Sequence, residues 1–214
     1  MSIKWKCAIV GLGVTAMGKV YGRSATDFAA EAINIALEDA GLKKEDVDGL
    51  LINANMSPEM SPLLQMSLGF EDLSLLNVMN AYGSTTGTMI QYACMAIEEG
   101  LANVVALVYA DDSLKPSNSA SSSYGGANVM PLRGMEGLRL AYGSYGANPS
   151  YALAARRHMH LFGTTSEQFG AIAIAQRKWA QTNPWAQLRK PLTMEVFSTT
   201  TRQRFWASTR RDHH

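Results

Sequence analysis

Apolar and polar residues alternate in blocks along the first half of the chain, and the blocks follow two periods. Short apolar runs predict four strands, at residues 6–12, 50–54, 75–79 and 104–109. Longer stretches with apolar residues at helical spacing predict three helices, at residues 24–40, 62–68 and 86–99. Strands that alternate with helices are typical of a largely parallel sheet covered on both faces, so the pattern predicts an α/β fold.

Local signals set the ends of these elements. Ser24 or Thr26 has a side chain that can cap the first helix, and Gly41 follows its last residue, Ala40. The third helix is apolar around most of its surface until Glu98, so we expect it to be buried.

The amino-acid composition of the chain changes after Asp112. Residues 113–149 are rich in Ser, Gly, Asn and Tyr, which predicts a long irregular segment. Beyond it the pattern predicts two more helices, at residues 151–162 and 166–181. Thr165 or Ser166 can cap the second of them. The change predicts a boundary between residues 112 and 113, which separates a first region at residues 1–112 from a second that includes the two later helices.

The composition narrows the class of protein. The 214 residues carry 19 basic and 18 acidic side chains, and this balance argues against a nucleic-acid partner. No apolar run approaches the ~18 residues of a membrane span, and residues 1–13 lack the cleavage site of a signal peptide. Cys7 and Cys94 form no paired-spacing motif, which suits a reducing compartment. We therefore expect a cytoplasmic globular protein.

The junction between the third strand and the third helix is the most informative stretch of the chain. It reads Asn80-Ala-Tyr-Gly-Ser-Thr-Thr86, and its small residues permit a strained backbone and the close approach of a substrate. A strand that enters a helix through such a turn often mounts an exposed nucleophile. This turn contains no cysteine.

The same stretch resembles the nucleophile loop of thiolases, in particular the sterol-carrier and lipid-transfer branch. The family motif is Asn-x-Asn-x-x-Cys-Ser-Thr-Gly-x-x-Ala, followed by a helix that ends in Ile-x-x-Gly. Alignment on Ile97 and Gly100 places Ser84 and Thr85 on the Ser-Thr pair of the motif. The resemblance then implies that Gly83 occupies the position of the catalytic cysteine.

Neighbouring residues line the same turn. A register shifted by one residue places Tyr82 at the nucleophile position, and a shift of two places Ala81 there. No register supplies a cysteine.

Longer blocks outside this turn resemble the loop domain of lipid-transfer thiolase-like proteins, at residues 151–169, 177–184 and 190–195. The resemblance covers residues 3–196, about the first half of such a protein. It implies a thiolase-like layered αβα domain with a largely parallel mixed sheet, followed by a loop domain. It also implies that the fifth strand, which follows Glu195 in the family, is missing. The tail at residues 197–214 departs from the family and resembles translation in a wrong frame.

Glycines and cysteines elsewhere in the chain each allow a structural interpretation and a functional one. Gly11 and Gly13 imitate a dinucleotide-binding fingerprint, but later glycines delay the helix and the second strand ends in asparagine. A turn at the end of a strand is therefore favoured. Cys7 and Cys94 are interpreted as small hydrophobic residues rather than as nucleophiles.

Other polar side chains can be interpreted in the same way. His158 and His160 lie two residues apart on one predicted helix, so they point to different faces and no metal pair is predicted. Ser84, Thr85 and Thr86 could act as nucleophiles only beside a general base, so roles in the turn are favoured. Two arginines could meet a coenzyme A phosphate or form a solvated face: Arg156 and Arg157. Three tyrosines are interpreted as packing or rim residues: Tyr124, Tyr142 and Tyr145.

The resemblance implies a chemistry without a covalent acyl intermediate, because thiolysis needs a cysteine to take the acyl group. Relatives in this branch include retro-aldolases that cleave steroid side-chain β-hydroxyacyl-CoA, in complex with an OB-fold partner of the DUF35 type. The resemblance therefore implies a non-thiolytic carbon–carbon lyase in lipid or steroid side-chain metabolism, with a coenzyme A thioester as substrate. It implies no covalently bound cofactor, and a homodimer in the full-length form.

Two alternatives stay open. The chain could belong to an acyl-CoA acetyltransferase, with a cysteine supplied from a position not recognised here. It could also belong to a non-catalytic thiolase-like scaffold subunit that supports a catalytic partner.

Overall fold

The computed structural model describes residues 6–54, 57–116, 133–143 and 148–199. Contacts divide the chain into two compact units, the first ending at Asn128 and the second beginning at Val129. The predicted boundary between residues 112 and 113 stays a prediction.

A parallel sheet forms the centre of the first unit. Its strands are β1 (Gly49–Asn53), β2 (Leu75–Met79) and β3 (Val105–Val108), in the order β2-β1-β3. Gly49 pairs with Leu75 on one side and with Val105 on the other, and both pairings are parallel. Three of the four predicted strands and the parallel sheet are therefore confirmed.

Helices cover the two faces of this sheet. Helices α1 (Ala25–Ala40) and α2 (Leu64–Leu68) lie on the face to which Leu50 and Ile52 point. Helix α3 (Thr85–Glu98) lies on the opposite face, to which Leu51 points. Because successive strand residues point to opposite faces, a fully buried β1 can pack against both layers. The predicted layered αβα arrangement is confirmed.

The capping residues of α1 follow the sequence. Ser24, rather than Thr26, is the N-cap, and its hydroxyl accepts a hydrogen bond from the Asp27 backbone N–H. The Asp27 carboxylate accepts in return from the Ser24 N–H, which completes a capping box. Hydrogen bonds from the Ser24 backbone and side chain lower the pKa of Asp27. Gly41 ends the helix in the left-handed conformation.

The prediction of a strand at residues 6–12 is wrong. A strand needs a backbone partner, but the Leu12 N–H donates to the Asp39 carboxylate of α1 at 2.9 Å. A Cβ placed on Gly11 would lie 2.1 Å from the Ala36 backbone oxygen, and one on Gly13 would lie 1.7 Å from that of Ala32. The glycines therefore allow close packing on a helix and do not open a dinucleotide site.

Helix α3 is not buried on every side, which corrects a second expectation. Thr85, Met89, Ala93 and Ala96 face the sheet and are buried, but Met95 on the outer side is 52% exposed. The apolar character of the helix predicted burial, yet no other helix of the first unit's described residues packs on its outer face.

Helices make up most of the described residues of the second unit. They are α4 (Gly134–Ala141), α5 (Asn148–Phe162) and α6 (Ser166–Thr182), and residues 194–199 are also helical. The expected irregular segment at 113–149 is therefore wrong where α4 forms, whereas residues 117–132 and 144–147 lie outside the described residues. Thr165 caps α6 through a capping box with Gln168. No helix among the described residues is long and apolar enough to cross a membrane.

The predicted tail begins inside the described part of the chain. Phe197 packs on α6, because a Cβ placed on Gly170 would lie 2.8 Å from the Phe197 ring. Residues 200–214 of the tail lie outside the described residues.

Candidate active site

The turn between β2 and α3 lies at the carboxyl edge of the sheet. We call residues 80–85 the elbow. Hydrogen bonds tie it to the end of β1: the Ala54 N–H donates to the Met79 oxygen at 3.0 Å, and the Asn80 side-chain amide donates to the Ala54 oxygen at 3.5 Å. Ligands of parallel α/β sheets bind at this edge, so the position of the elbow fits a functional site.

Hydroxyl groups within the elbow bind its own backbone. The Thr85 hydroxyl accepts from the Ala81 N–H at 2.8 Å and donates to the Tyr82 oxygen at 2.7 Å. The Ser84 hydroxyl donates to the Ala81 oxygen at 2.7 Å. Thr85 is also buried, with 1% of its surface exposed. These bonds fix the turn and leave neither hydroxyl arranged as a nucleophile with an adjacent base.

The backbone places Tyr82 in the conformation that favours glycine. Tyr82 has a φ of 51°, and no other non-glycine residue in the described ranges has a positive φ. Its N–H donates to the Asn80 side-chain oxygen at 3.1 Å, and its side chain is 77% exposed. A bulky residue at positive φ is strained, and such strain clusters at functional sites.

Gly83, by contrast, has an ordinary backbone. It is exposed, it is not among the glycines with positive φ, and a Cβ placed on it would meet nothing within 4 Å. Nothing in its surroundings therefore excludes a side chain. The alignment implied that Gly83 stands at the nucleophile position, whereas the strained residue of the elbow is its neighbour Tyr82.

A buried amide lies at the same edge of the sheet. Asn53 is the last residue of β1 and pairs with Met79. It is 6% exposed, and its side-chain oxygen has no hydrogen-bond partner among the described residues. By the alternation of β1 it shares the α3 face with Leu51. A buried polar atom without a hydrogen-bond partner destabilises the fold, so the Asn53 oxygen marks a position that favours a hydrogen-bond donor.

Other candidates from the sequence lie elsewhere. The Cys7 thiol donates to the Cys94 backbone oxygen at 3.7 Å, and both thiols are free and half-buried. Burial, followed by the neighbouring Cys94 and Glu98, raises the pKa of Cys7, which opposes thiolate formation. In the second unit, His158 contacts Thr164 and Phe162, and His160 is exposed. Three further side chains are also exposed: Arg156, Arg157 and Tyr142. Tyr124 and Tyr145 lie outside the described residues.

Comparison with known proteins places this site in a family context. No family model matches the sequence. A 17-hydroxy-3-oxo-4-pregnene-20-carboxyl-CoA lyase of Mycobacterium tuberculosis is 33% identical over 192 residues, which are 89% of this chain and 50% of the relative. The solved Ltp2-ChsH2(DUF35) aldolase matches with a TM-score of 0.72 and 32% identity, over 88% of this chain and 47% of that one.

A third match is more distant in sequence. The monomeric SCP2-thiolase like protein type 1 of Mycobacterium smegmatis matches with a TM-score of 0.57 and 17% identity, over 88% of this chain and 38% of that one. At this identity the match shows the fold alone. The chain is homologous to this lyase and this aldolase, and it has the fold of the thiolase-like protein.

The thiolase-like resemblance and fold predicted from the sequence are thereby confirmed. The thiolase-like chain spans about half the length of the curated relatives it matches. The sequence pattern located the elbow but not two features of the site, the positive φ of Tyr82 and the buried Asn53. The sequence contains only a weak indication of the positive φ of Tyr82, which is that the side-chain oxygen of Asn80 can accept a hydrogen bond from the backbone N–H two residues later. Asn53 was visible only as a polar residue that closes an apolar strand.

Proposed function

We propose that the chain supplies the thiolase-like elbow of a lyase that cleaves a carbon–carbon bond in a β-hydroxyacyl-CoA by retro-aldol chemistry. The elbow itself carries this proposal. In the alignment on Ile97 and Gly100, Gly83 takes the position of the thiolase cysteine, and a register shifted by one residue puts Tyr82 there; neither residue can accept an acyl group as a thiolate does. The reaction proposed is one that needs no acyl-enzyme.

Ser84, Thr85 and Cys94 do not replace that cysteine. The hydroxyls of Ser84 and Thr85 are engaged with the elbow backbone. Cys94 is half-buried on α3, about 13 Å along the helix from Thr85 at 1.5 Å per residue. A thiol so far from the turn cannot attack a carbonyl carbon that is held at the turn.

Retro-aldol cleavage suits such a site because the groups that catalyse it transfer protons and stabilise an enolate, and none of them has to accept an acyl group. A β-hydroxyl loses its proton as the bond between Cα and Cβ breaks, and the electron pair becomes the enolate of the thioester. General acids and bases and hydrogen-bond donors to the enolate oxygen supply this chemistry. The names of the relatives, an acyl-CoA lyase and an aldolase, support the same class of substrate for this chain.

The proposal includes partners. The solved aldolase is named as a complex of Ltp2 with a DUF35 subunit, which supports a DUF35-type partner. The homodimer of the full-length form, implied by the family resemblance, is included as well. The proposal also includes a cytoplasmic location, which the two free thiols favour.

The test uses a reconstituted complex. The chain is co-expressed with the second half of the M. tuberculosis lyase and a DUF35 partner, and the co-purified complex is given two substrates. A β-hydroxyacyl-CoA is offered alone, and a β-ketoacyl-CoA is offered with free coenzyme A. The chain without its complement is the control.

Each outcome separates the candidates. Release of a ketone or aldehyde from the β-hydroxyacyl-CoA supports the lyase. Thiolysis of the β-ketoacyl-CoA contradicts it and favours the acetyltransferase. A folded, co-purified complex that does neither favours the scaffold subunit. Failure of the chain to co-purify contradicts the assembly that the proposal requires.

A further inference from the structure

We propose that Cys7 and Cys94 are a redox-active pair, which closes to a disulfide in the presence of a small disulfide such as oxidised glutathione. The bond ties residues 6–13, which we call the N-terminal segment, to helix α3. Three observations support this inference: the contact between the two cysteines, the register of the segment on α3, and the weak attachment of the segment elsewhere. The inference is independent of the proposed lyase function.

The fold brings together two cysteines that are 87 residues apart in the sequence. The Cys7 thiol lies 3.7 Å from the Cys94 backbone oxygen. Burial raises the pKa of Cys7 most, and a hydrogen bond with the Cys94 side chain raises it next, so the two side chains also contact each other. Two cysteines can be bridged without backbone movement only where their side chains approach in this way. Both thiols are free, and their partial exposure lets a small oxidant reach them.

A second contact fixes the register of the N-terminal segment on α3. The Lys6 ammonium lies 3.3 Å from the Glu98 carboxylate, and Lys6 precedes Cys7 in the chain. Their partners on α3, Glu98 and Cys94, are one helical turn apart, so they lie on the same side of the helix. Consecutive residues of the segment therefore meet consecutive turns of α3, and the thiol contact is part of this fit.

Elsewhere among the described residues the N-terminal segment is weakly attached. The Leu12 N–H donates to Asp39 of α1 at 2.9 Å, but the segment belongs to none of the described strands. The ion pair between Lys6 and Glu98 is partly exposed, so it contributes little. Large apolar side chains of the segment are open to solvent, with Ile9 78% and Leu12 69% exposed. A covalent bond to α3 therefore strengthens a segment that has few other attachments.

The disulfide also joins the two helix layers of the first unit. The N-terminal segment contacts α1 through Leu12 and α3 through Cys7, and these helices lie on opposite faces of the sheet. A bond between Cys7 and Cys94 closes a loop that contains α1, β1, β2 and the elbow. A cross-link over so long a loop removes conformational freedom mainly from the unfolded chain, so it stabilises the fold.

The small disulfide balances the electrons of the step. One protein thiol loses its proton and attacks oxidised glutathione, and the glutathione thiolate that leaves takes up a proton. The second protein thiol attacks the mixed disulfide and displaces the second glutathione. Two protein S–H bonds are thus replaced by one S–S bond, and the small disulfide is reduced to two thiols. A dithiol reductant reverses the bond. Because burial raises the pKa of Cys7, the exchange is slow at neutral pH.

Equilibration of the 214-residue chain in glutathione redox buffers tests the pair. Intact-mass spectrometry separates the internal disulfide, which is about 2 Da lighter than the reduced chain, from chains that carry glutathione. The ratio of internal disulfide to glutathione adduct should be at least about 10-fold higher in buffer than in concentrated urea, because only the fold holds the thiols together. Peptide mapping without reductant should link residue 7 to residue 94.

Two serine variants are the matched controls. Cys7→Ser and Cys94→Ser each keep one thiol, so they should form a glutathione adduct and no internal disulfide. Oxidation should raise the Tm of the wild-type chain by at least about 5 °C and should not raise that of either variant.

Three results would overturn the proposal. They are a ratio that is no higher in buffer than in urea, glutathione adducts or intermolecular disulfides in place of the internal bond, and a Tm that does not rise on oxidation. None of these measurements depends on lyase activity, so the proposed function is tested separately.

Discussion

The first unit buries apolar side chains on both faces of its sheet, whereas the second leaves most of its apolar side chains exposed. Leu50, Leu51 and Ile52 of β1 have no exposed surface. Among the described residues of the second unit, only Gly170 is buried. Large apolar side chains there are instead open to solvent: Leu153, Phe162, Trp179, Trp185 and Leu188.

This difference shows that a sequence pattern can specify a helix without specifying a core. Helical periodicity and caps are sufficient to form α5 and α6, since Thr165 caps α6 and Gly163 follows α5 in the left-handed conformation. A core needs, in addition, a second layer that faces the apolar stripe. The first unit contains that layer, because α1 and α3 lie on opposite faces of the sheet.

Truncation of matched leucines should give the largest contrast between the units. Leu51→Ala removes a fully buried side chain from between β1 and α3, and we expect it to lower the free energy of unfolding by about 2–5 kcal/mol. Leu153→Ala on α5, where the side chain is 71% exposed, should change it by less than about 0.5 kcal/mol. Chemical denaturation of both variants measures the difference. Equal losses would break the comparison.

Two helical glycines should respond to alanine with opposite signs. At Gly170 a Cβ would lie 2.8 Å from the Phe197 ring, so Gly170→Ala should cost about 1–3 kcal/mol through overpacking. At Gly87 of α3 a Cβ would meet nothing within 4 Å, so Gly87→Ala should stabilise by about 0.5–1 kcal/mol.

A double variant sharpens this result. Phe197→Ala removes the ring that the new methyl group would strike and leaves the Met194 sulfur at 2.9 Å, so Gly170→Ala should cost less in that background. An undiminished cost would contradict the packing of the Phe197 ring on α6.

A smaller effect is expected from the carboxylate that joins two strands of the first unit. The Asp48 carboxylate accepts from the Asn103 N–H, the Asn103 side-chain amide and the Val104 N–H, all at 2.8–2.9 Å. Burial raises the pKa of Asp48, but these hydrogen bonds outweigh it and the net pKa is lowered. Asp48→Asn leaves one acceptor oxygen for these donors and should cost about 1–2 kcal/mol at neutral pH.

The pH dependence follows from the direction of that shift. Because the folded-state pKa of Asp48 is below the unfolded value, its contribution is complete above the unfolded pKa of about 3.9 and is lost as pH falls through the folded value. The stability difference between wild type and Asp48→Asn should therefore shrink below about pH 4. Asp72→Asn, at an exposed aspartate, should show no such difference. A difference that stays constant from pH 7 to pH 3 would contradict the role assigned to Asp48.

The sequence predicted the strands of the sheet more accurately than the segments outside it. Strands at 50–54, 75–79 and 104–109 were placed within one residue at each end, because short apolar runs bounded by turn residues have few alternatives. Residues 6–12 have the same pattern but bind α1 instead, since a run of residues does not reveal whether a partner strand is available. Helix α4 was missed because Gly134 and Gly137 favoured an irregular segment.

The site was predicted in position but not in detail. Small residues between β2 and α3 identified the elbow from the sequence alone. Alignment on Ile97 and Gly100 led to Gly83, but the backbone of the elbow is set by Asn80 and Thr85, whose side chains bind the Tyr82 N–H and oxygen. These bonds place the strain on Tyr82. Local hydrogen bonding of this kind is not visible in a motif.

The central claim is that the elbow presents Tyr82 and cannot form an acyl-enzyme. Intact-mass and peptide mass spectrometry after incubation with acetyl-CoA tests it most directly, on the chain alone and in the reconstituted complex. A Gly83→Cys variant is the positive control for the access of acetyl-CoA to the elbow, because a side chain at residue 83 meets nothing within 4 Å. This variant should still lack efficient thiolysis, because no base is positioned to form the thiolate. We predict no acetyl adduct within residues 77–90 of the wild-type protein. A stoichiometric adduct there would contradict the account.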